Sequence, residues 1–548
     1  MLTKIFRRTL YSMSKDSKMG LRLVSEKKCG IGEVFSKFNR VDANECSQHS
    51  MTDGMKNVHY VAKTENDHMP FYLEHHAQPN LRVSLDSESV VAIRPIQPGD
   101  YLSIDYRDTE PVLFSQFPSV PEPVLVRPWT TGAHEELSEE GKKWLNVDTE
   151  QQDLLTSCHI DYIDDRLHYH GIDLNEIAHS YDPDIPLYVY SKEALRINLN
   201  RLSHYLHKNF EKTSLLYSVK ANSSPAILTE LRHAGQTALD VCSPQEVDRA
   251  RECGFDVSNM HYTGTNLTDK DLERLGRHPE LKINCDSLTL LERIPHTKHV
   301  GLRLDPNMGM SYKDDKRLQC TCAGTKMGLL LKDIEAACQI AQKRGIRLER
   351  IHAHVGNSFQ SDDITLFDVI LRQVSSAIDI CSKYGFDIQE INLGGGYGVP
   401  YLPEEKTFDW DKWAECVHQF ENITDKRIII EPGDSIVKNA GVLISRVTDV
   451  FEKADTSFVG LGVGMNLNPL PAFYDIISYP MPTLKREGDC KNVDVSGNLN
   501  ESIDLWKRNV PMTPVEQGDH VALLNSGGYA HSCHTNHSLR VEFNSVLV

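Results

Sequence analysis

The stretch Leu215–Cys253, LLYSVKANSSPAILTELRHAGQTALDVCSPQEVDRAREC, carries two successive strand–helix units. Leu215-Leu-Tyr-Ser-Val219 is a short apolar run rich in strand-forming side chains, and Ala238-Leu-Asp-Val241 is a second. Pro225–Ala234 and Pro244–Cys253 each open on a proline preceded by serine, the ordinary chemistry of a helix start. The alternation continues outward. Val300-Gly-Leu-Arg-Leu304, Arg350-Ile-His-Ala-His354, Ile388–Leu393 and Arg427-Ile-Ile-Ile430 read as strands, and Leu331–Arg344 and Thr365–Tyr384 read as helices. Strands spaced by helices build a parallel sheet, and this many in one stretch favour closure into a (β/α)8 barrel over an open sheet.

Two other textures flank this region. Residues 1–150 hold short β-like runs, Arg82–Ser84 and Val90–Ile93 among them, broken by Pro and Gly, with the Pro-rich Phe117–Pro123 near the end. Glu135–Leu145 reads as a charged amphipathic helix. Residues 441–548 drop the helical period and show β-like segments at Val442–Phe451, His520–Asn525 and Leu539–Val548. The expected class is α/β: a small mostly-β domain (1–150), a lead-in segment joining the β-domain (151–185), the barrel (186–440) and a C-terminal β-domain (441–548).

The 548 residues are 40% hydrophobic and 25% charged, ordinary globular usage, with a formal net charge of −18. That balance disfavours nucleic-acid binding, which needs a basic face, and mildly attracts cationic substrates. The 13 cysteines form no framework, so reduced thiols are expected; Cys320 and Cys322 are a lone C-x-C, and no metal is expected. No run reaches the roughly 18 apolar residues of a membrane span. Met1–Lys15 carries Lys4, Arg7, Arg8 and Lys15 and no acid. Cytoplasm is the default location, with a mitochondrial leader the alternative this basic start suggests.

Chemistry in a barrel gathers where strands end. Lys220 directly follows one predicted strand, His354 ends another, Gly394-Gly-Gly396 follows a third and Glu431-Pro-Gly433 a fourth. Singly, each has a bland reading as surface charge, core histidine or turn. Together they suit pyridoxal phosphate (PLP): an amine to condense with an aldehyde, kept neutral by desolvation, a carboxylate for the pyridine nitrogen, a flat imidazole, and glycines that let backbone N–H groups close on a phosphate.

At these residues the chain resembles the fold type III PLP decarboxylases, which act on ornithine, arginine and diaminopimelate. The matching phrases are Tyr217-Ser-Val-Lys-Ala-Asn222, Leu239–Glu246, Lys326-Met-Gly-Leu329, His352-Ala-His-Val-Gly356, Asn392–Gly398, Ile430–Ile436 and Ser526-Gly-Gly-Tyr529, with Pro186-Leu-Tyr-Val-Tyr190 resembling the opening segment of the diaminopimelate branch. The resemblance implies an alanine-racemase-like barrel with a β-domain, and a homodimer with shared active sites. It makes Lys220 the Schiff-base lysine, His354 the stacking residue and Glu431 the partner of the pyridine nitrogen. Gly394, Gly395, Gly396 and Tyr529 become phosphate ligands, and Asp240 and Glu246 supporting acids. Tyr474 and Glu501 are carried over as substrate contacts, Glu501 also as a catalytic group.

Departures from the family pattern stand beside these matches. In Gly497–Asp504, Asn500 takes the place of the family's proton-donating cysteine, while Glu501 and Asp504 remain; Glu501, His531 or Cys533 could substitute. Asp434 replaces an arginine after Glu431-Pro-Gly433 and would suit a substrate amine. Asn357 stands at a phosphate-site serine, with Ser358 next, and Leu470 replaces a carboxylate-binding arginine. Losing two arginines argues against diaminopimelate itself. The expected activity is therefore decarboxylation of an altered basic or diamino acid. The alternatives are a catalytically impaired homologue that binds or regulates a partner, and a SET-type methyltransferase fused to a decarboxylase-like module. The last rests on a fainter resemblance of Gly30-Ile-Gly32, Leu73–Asn80 and Ile93–Tyr106 to a shortened SET domain, in which His75 and Tyr106 match and Glu74 replaces an asparagine.

Overall fold

The computed structural model describes residues 152–295, 299–322 and 324–548, and upstream of these the backbone of ten strands between Tyr11 and Ile104. The chain divides into two compact units, Met1–Trp144 and Leu145–Val548. In the first, Tyr11–Asp16 pairs antiparallel with Gly20–Ser25. A further sheet runs in the order Val34–Lys37, Ser89–Ala92, Leu81–Ser84, Ser103–Ile104, Glu74–His75. Tyr106, the helix expected at 135–145, and the side chains of Glu74 and His75 lie outside the described residues.

In the second unit eight parallel strands close a barrel: β1 Thr213–Ser218, β2 Ala238–Val241, β3 Met260–Tyr262, β4 Lys282–Cys285, β5 Val300–Asp305, β6 Leu348–His352, β7 Glu390–Asn392 and β8 Arg427–Ile430. Each pairs with the next in sequence, and β8 returns to β1 through Thr213↔Ile428 and Leu215↔Ile430. Closure covers both faces of every strand, which is why β5, VGLRLD, is buried at all six positions. The intervening helices begin as their sequences indicate. Proline opens both Pro225–His233 and Pro244–Glu252, and in the latter the Ser243 hydroxyl accepts from Glu246 N at 3.1 Å. Gly345 ends Ile334–Arg344 at φ 66°.

The interior holds a polar layer below the rim. Arg350 on β6 is fully buried; it donates to Glu390 Oε2 at 2.6 and 2.8 Å and to Asn284 Oδ1 at 3.0 Å. Gly301 on β5 leaves room for this pair, since a Cβ there would meet Asn284 Oδ1 at 2.3 Å. Replacing Arg350 by methionine leaves Glu390 with only Lys282, 3.4 Å away. We expect a loss of about 2 kcal/mol in urea unfolding, because the partly buried Glu390 carboxylate loses its main partner and keeps only the longer contact to Lys282.

A mixed sheet lies beside the barrel, in the order Pro480–Pro482, His520–Leu523, Gly441–Lys453, Thr456–Leu461, Lys491–Ser496, Leu505–Met512. Leu187–Tyr190, expected within the barrel region, belongs to this sheet instead. It pairs antiparallel with Gly441–Ile444 and parallel with Asn544–Leu547. Its two faces explain its complete burial: Tyr188 and Tyr190 pack into the barrel's core, Leu187 and Val189 into a second cluster with Leu167 and Tyr169. The last strand is shorter than expected, Asn544–Leu547, because 537–539 form a single 3-10 turn. Among the described residues no helix is long and apolar enough to cross a membrane.

Candidate active site

The rim at the C-terminal ends of the barrel strands surrounds a cavity that opens to solvent. Lys220, His354, Gly395, Gly396, Glu431, Asp434 and Tyr529 line it, with Ser218, Asn357, Ser358 and Gly433. Lys220 sits on the single 3-10 turn Val219–Ala221 that ends β1, and Tyr529 N donates to Ala221 O at 2.8 Å, tying that turn to the β-domain. Tyr529 itself holds φ 57°, a left-handed conformation unusual for a tyrosine and typical of functional sites.

Lys220 Nζ lies 2.5 Å from Asp240 Oδ2, which faces inward from β2 and is almost wholly buried. The Ser218 hydroxyl stands 2.9 Å from both Asp240 Oδ2 and the Glu431 carbonyl, so it can donate to one at a time. The expectation that desolvation keeps Lys220 neutral is not met. Burial alone would lower its pKa, but the Asp240 carboxylate, followed by weaker contributions from Tyr529, Cys242 and Glu431, reverses that and holds the ammonium well above its ordinary value. Burial and the nearby Glu431 in turn push the Asp240 carboxyl up.

Glu431 follows β8 directly and projects into the centre. Asn392 Nδ2, from the last residue of β7, donates to its Oε1 at 2.6 Å, and His352 Nε2, from the last residue of β6, lies 3.2 Å from Oε2. Burial alone would raise this carboxyl, but His352 and Lys220 outweigh it and hold Glu431 well below the usual glutamate range. His354, two residues past His352, accepts from Gly395 N through Nδ1 at 3.1 Å. Burial, with Arg303 nearby, depresses its pKa far below 6.5, so the imidazole is neutral and its remaining proton sits on Nε2. Gly395 and Gly396 admit no side chain: a Cβ would meet Glu431 O at 2.1 Å and Gly356 O at 2.0 Å.

Other expected residues stand apart from the cavity within one chain. Glu246 caps the turn after β2 by accepting from Cys242 N at 2.7 Å. Tyr474 lies under the Arg317 guanidinium, 5.9 Å from ring centre. Glu501 is half exposed and 3.1 Å from His537 Nε2, Asn500 is exposed, and Asp504 is buried, accepting from Met465 N and Leu499 N at 2.7 Å each. His531 stacks against His534, and Cys533 is exposed.

Comparison with known proteins gives the relatives of this chain. Residues 196–438 match the family described as pyridoxal-dependent decarboxylase, pyridoxal binding domain. The diaminopimelate decarboxylase of Methanothermobacter thermautotrophicus is 28% identical over 398 residues, 69% of this chain and 89% of its own length. The Methanocaldococcus jannaschii diaminopimelate decarboxylase in complex with L-lysine superposes with a TM-score of 0.65 at 26% identity, covering 71% of this chain and 92% of that one. The arginine decarboxylase of Paramecium bursaria Chlorella virus, 18% identical, shares the fold with a TM-score of 0.60 over 68% of this chain and 99% of its own. The barrel therefore carries the pyridoxal binding domain of the pyridoxal-dependent decarboxylases. Its cofactor is PLP.

The decarboxylase cavity fits that group. One amine faces a buried carboxylate pair, a neutral imidazole lines the wall, and a glycine turn lies on one side. The N–H groups of Gly396, Gly433 and Asp434 have no acceptor among the described residues, leaving them for an anion. Sequence reading missed Ser218, His352 and Asn392, although all three lie in the quoted phrases. The signal for His352 was available: strand side chains alternate, so a residue two before His354 shares its face.

Proposed function

We propose that this chain decarboxylates a basic amino acid. Lys220 is the attachment point and Glu431 the partner of the pyridine N–H. His354 would lie against the ring, and Gly394, Gly395, Gly396 and Tyr529 would hold the phosphate. The observation that carries this is the convergence of the Lys220 amine and the Glu431 carboxylate on one cavity at the barrel rim. PLP supplies an aldehyde for the amine and a ring that accepts the electron pair of the broken Cα–carboxylate bond. The chain's own residues prepare both ends. Asp240, 2.5 Å from Lys220 Nζ, takes the proton the amine must shed before it can attack. Asn392 and His352 fix Glu431 as a carboxylate aimed at one point.

The relatives named above include diaminopimelate and arginine decarboxylases, which supports a substrate with a second cationic group. Asp434 and Leu470 provide no cationic clamp for a second carboxylate, which favours ornithine-, lysine- or arginine-like substrates over diaminopimelate. In a homodimer the loop carrying Asn500 and Glu501, with Tyr474, would complete the neighbour's site as substrate contacts. The test is 14CO2 release from carboxyl-labelled ornithine, lysine, arginine and diaminopimelate, in both chiral series. Turnover of a monocarboxylate in preference to diaminopimelate is expected; preference for diaminopimelate would refute the substrate assignment. A second reading, a PLP-binding homologue without turnover, is favoured by Asn500, since an amide does not readily supply a proton. It predicts bound PLP and no CO2 from any member of the panel.

A further inference from the structure

Among the described residues two carboxylates line the cavity, Glu431 and Asp434, and Asp434 directly follows Gly433. Its side chain is only 10% exposed, and Oδ1 has no hydrogen-bond partner. The nearest cation, Lys438 Nζ one helical turn on, is 3.7 Å away and donates instead to Gly528 O at 3.0 Å. The backbone crowds the same oxygen: a Cβ on Gly528 would meet Oδ1 at 2.6 Å. Tyr401 OH lies 3.5 Å from Oδ2 but its short bond, 2.8 Å, goes to Ser358. Asp434 is therefore a buried acid with an unclaimed oxygen, beside the N–H groups available to a phosphate.

We propose that Asp434 makes cofactor binding proton-linked: its carboxyl takes up a proton as the phosphate of PLP arrives and then donates to a phosphate oxygen. This rests on the reading of Gly395, Gly396 and Tyr529 as the phosphate seat. An ionised carboxylate beside a phosphate dianion is repelled strongly in a dry pocket, whereas a neutral carboxyl is a donor. The surroundings already lean that way. Burial pushes the Asp434 carboxyl up against the opposing pull of Lys438, Tyr401 and Ser358, and burial pushes the Lys438 ammonium down. The other titratable groups facing Asp434 are Tyr401, Tyr529 and Cys533, with Tyr217 from β1; none of these is a cation that could hold it ionised. Lys220, the lysine that lines the cavity, is engaged by Asp240. The sign follows. Phosphate raises the pKa of Asp434, so affinity is full where the carboxyl is protonated and is lost as pH rises through the bound-state value. Asp434 thus serves the cofactor rather than a substrate amine.

The test is calorimetric titration of full-length apoprotein with PLP in buffers of different ionisation enthalpy, which counts protons taken up. Asp434→Asn keeps the shape and removes the titration, and melting of both apoproteins checks that it folds. Between about pH 6 and about pH 8.5, wild-type affinity for PLP should fall relative to Asp434→Asn by roughly tenfold or more, with up to one extra proton taken up per site. Taking Asp434→Asn as reference cancels the titration of the phosphate itself and of Lys220. Pyridoxal, which lacks the phosphate, should bind both proteins alike. If PLP is preferred over pyridoxal but wild type and Asp434→Asn share one pH dependence, the proposal is wrong. An Asp434→Asn effect confined to the KM of the amino acid would overturn it in favour of a substrate contact. If wild type binds PLP no better than pyridoxal at any pH, the phosphate seat itself is misassigned.

Discussion

Replacing Lys220 by alanine is expected to abolish the visible absorption of lysine-linked PLP and to lower CO2 release by about a thousandfold or more. The amine cannot be supplied by a neighbour, because among the described residues no other lysine lines the cavity. The alanine variant also strands Asp240, whose Oδ1 already has no partner and whose Oδ2 would keep only Ser218. A third of the Lys220 side chain faces the open cavity, and Asp240 can protonate once alone. The cost to apoprotein stability is therefore about 1–2 kcal/mol rather than the full value of a sealed pair. Lys220→Arg separates the two effects. A guanidinium can still pair with Asp240 but does not condense with an aldehyde, so the arginine variant should melt like wild type and be as inactive as alanine. Turnover surviving in Lys220→Arg would show that the attachment point lies elsewhere.

The barrel was legible because its strands are covered on both faces and so appear as uninterrupted apolar runs between capped helices. The four rim positions at 220, 354, 394–396 and 431 were legible for a related reason: chemistry-bearing residues immediately follow those runs. What could not be read depends on distance in space. Leu187–Tyr190 looks like one more barrel strand, and only its pairing with Gly441–Ile444 assigns it to the sheet. Lys438 hides in an apolar stretch four residues after Asp434, and its burial beside Gly528 is a property of the β-domain turn, not of the local sequence. The charge of Lys220 was misjudged because desolvation is set by the residue's own position, whereas the opposing Asp240 comes from the neighbouring strand.

The same cross-strand dependence governs the second large effect. Glu431→Gln should keep PLP bound yet lower kcat by about a hundredfold to a thousandfold, since an amide of equal shape cannot hold a proton on the pyridine nitrogen. Asn392 would still donate to the amide oxygen, so the side chain stays aimed, and loss of charge is isolated from loss of position. Asn392→Ala makes the opposite cut. It leaves the charge and removes the 2.6 Å bond that orients it, so a smaller, roughly tenfold loss is expected. Stability carries an independent signature of the same carboxylate. Because His352 and Lys220 depress the Glu431 pKa in the folded protein, its ionised form stabilises the fold at and above the ordinary glutamate value. That contribution is lost as pH falls below it, through the depressed folded value. Wild-type apoprotein should therefore exceed Glu431→Gln in urea midpoint near about pH 7, and the gap should narrow by about pH 4 and close further toward acid. A gap that widens on acidification would mean Glu431 is protonated in the folded protein, and the carboxylate could not then anchor the cofactor's ring nitrogen.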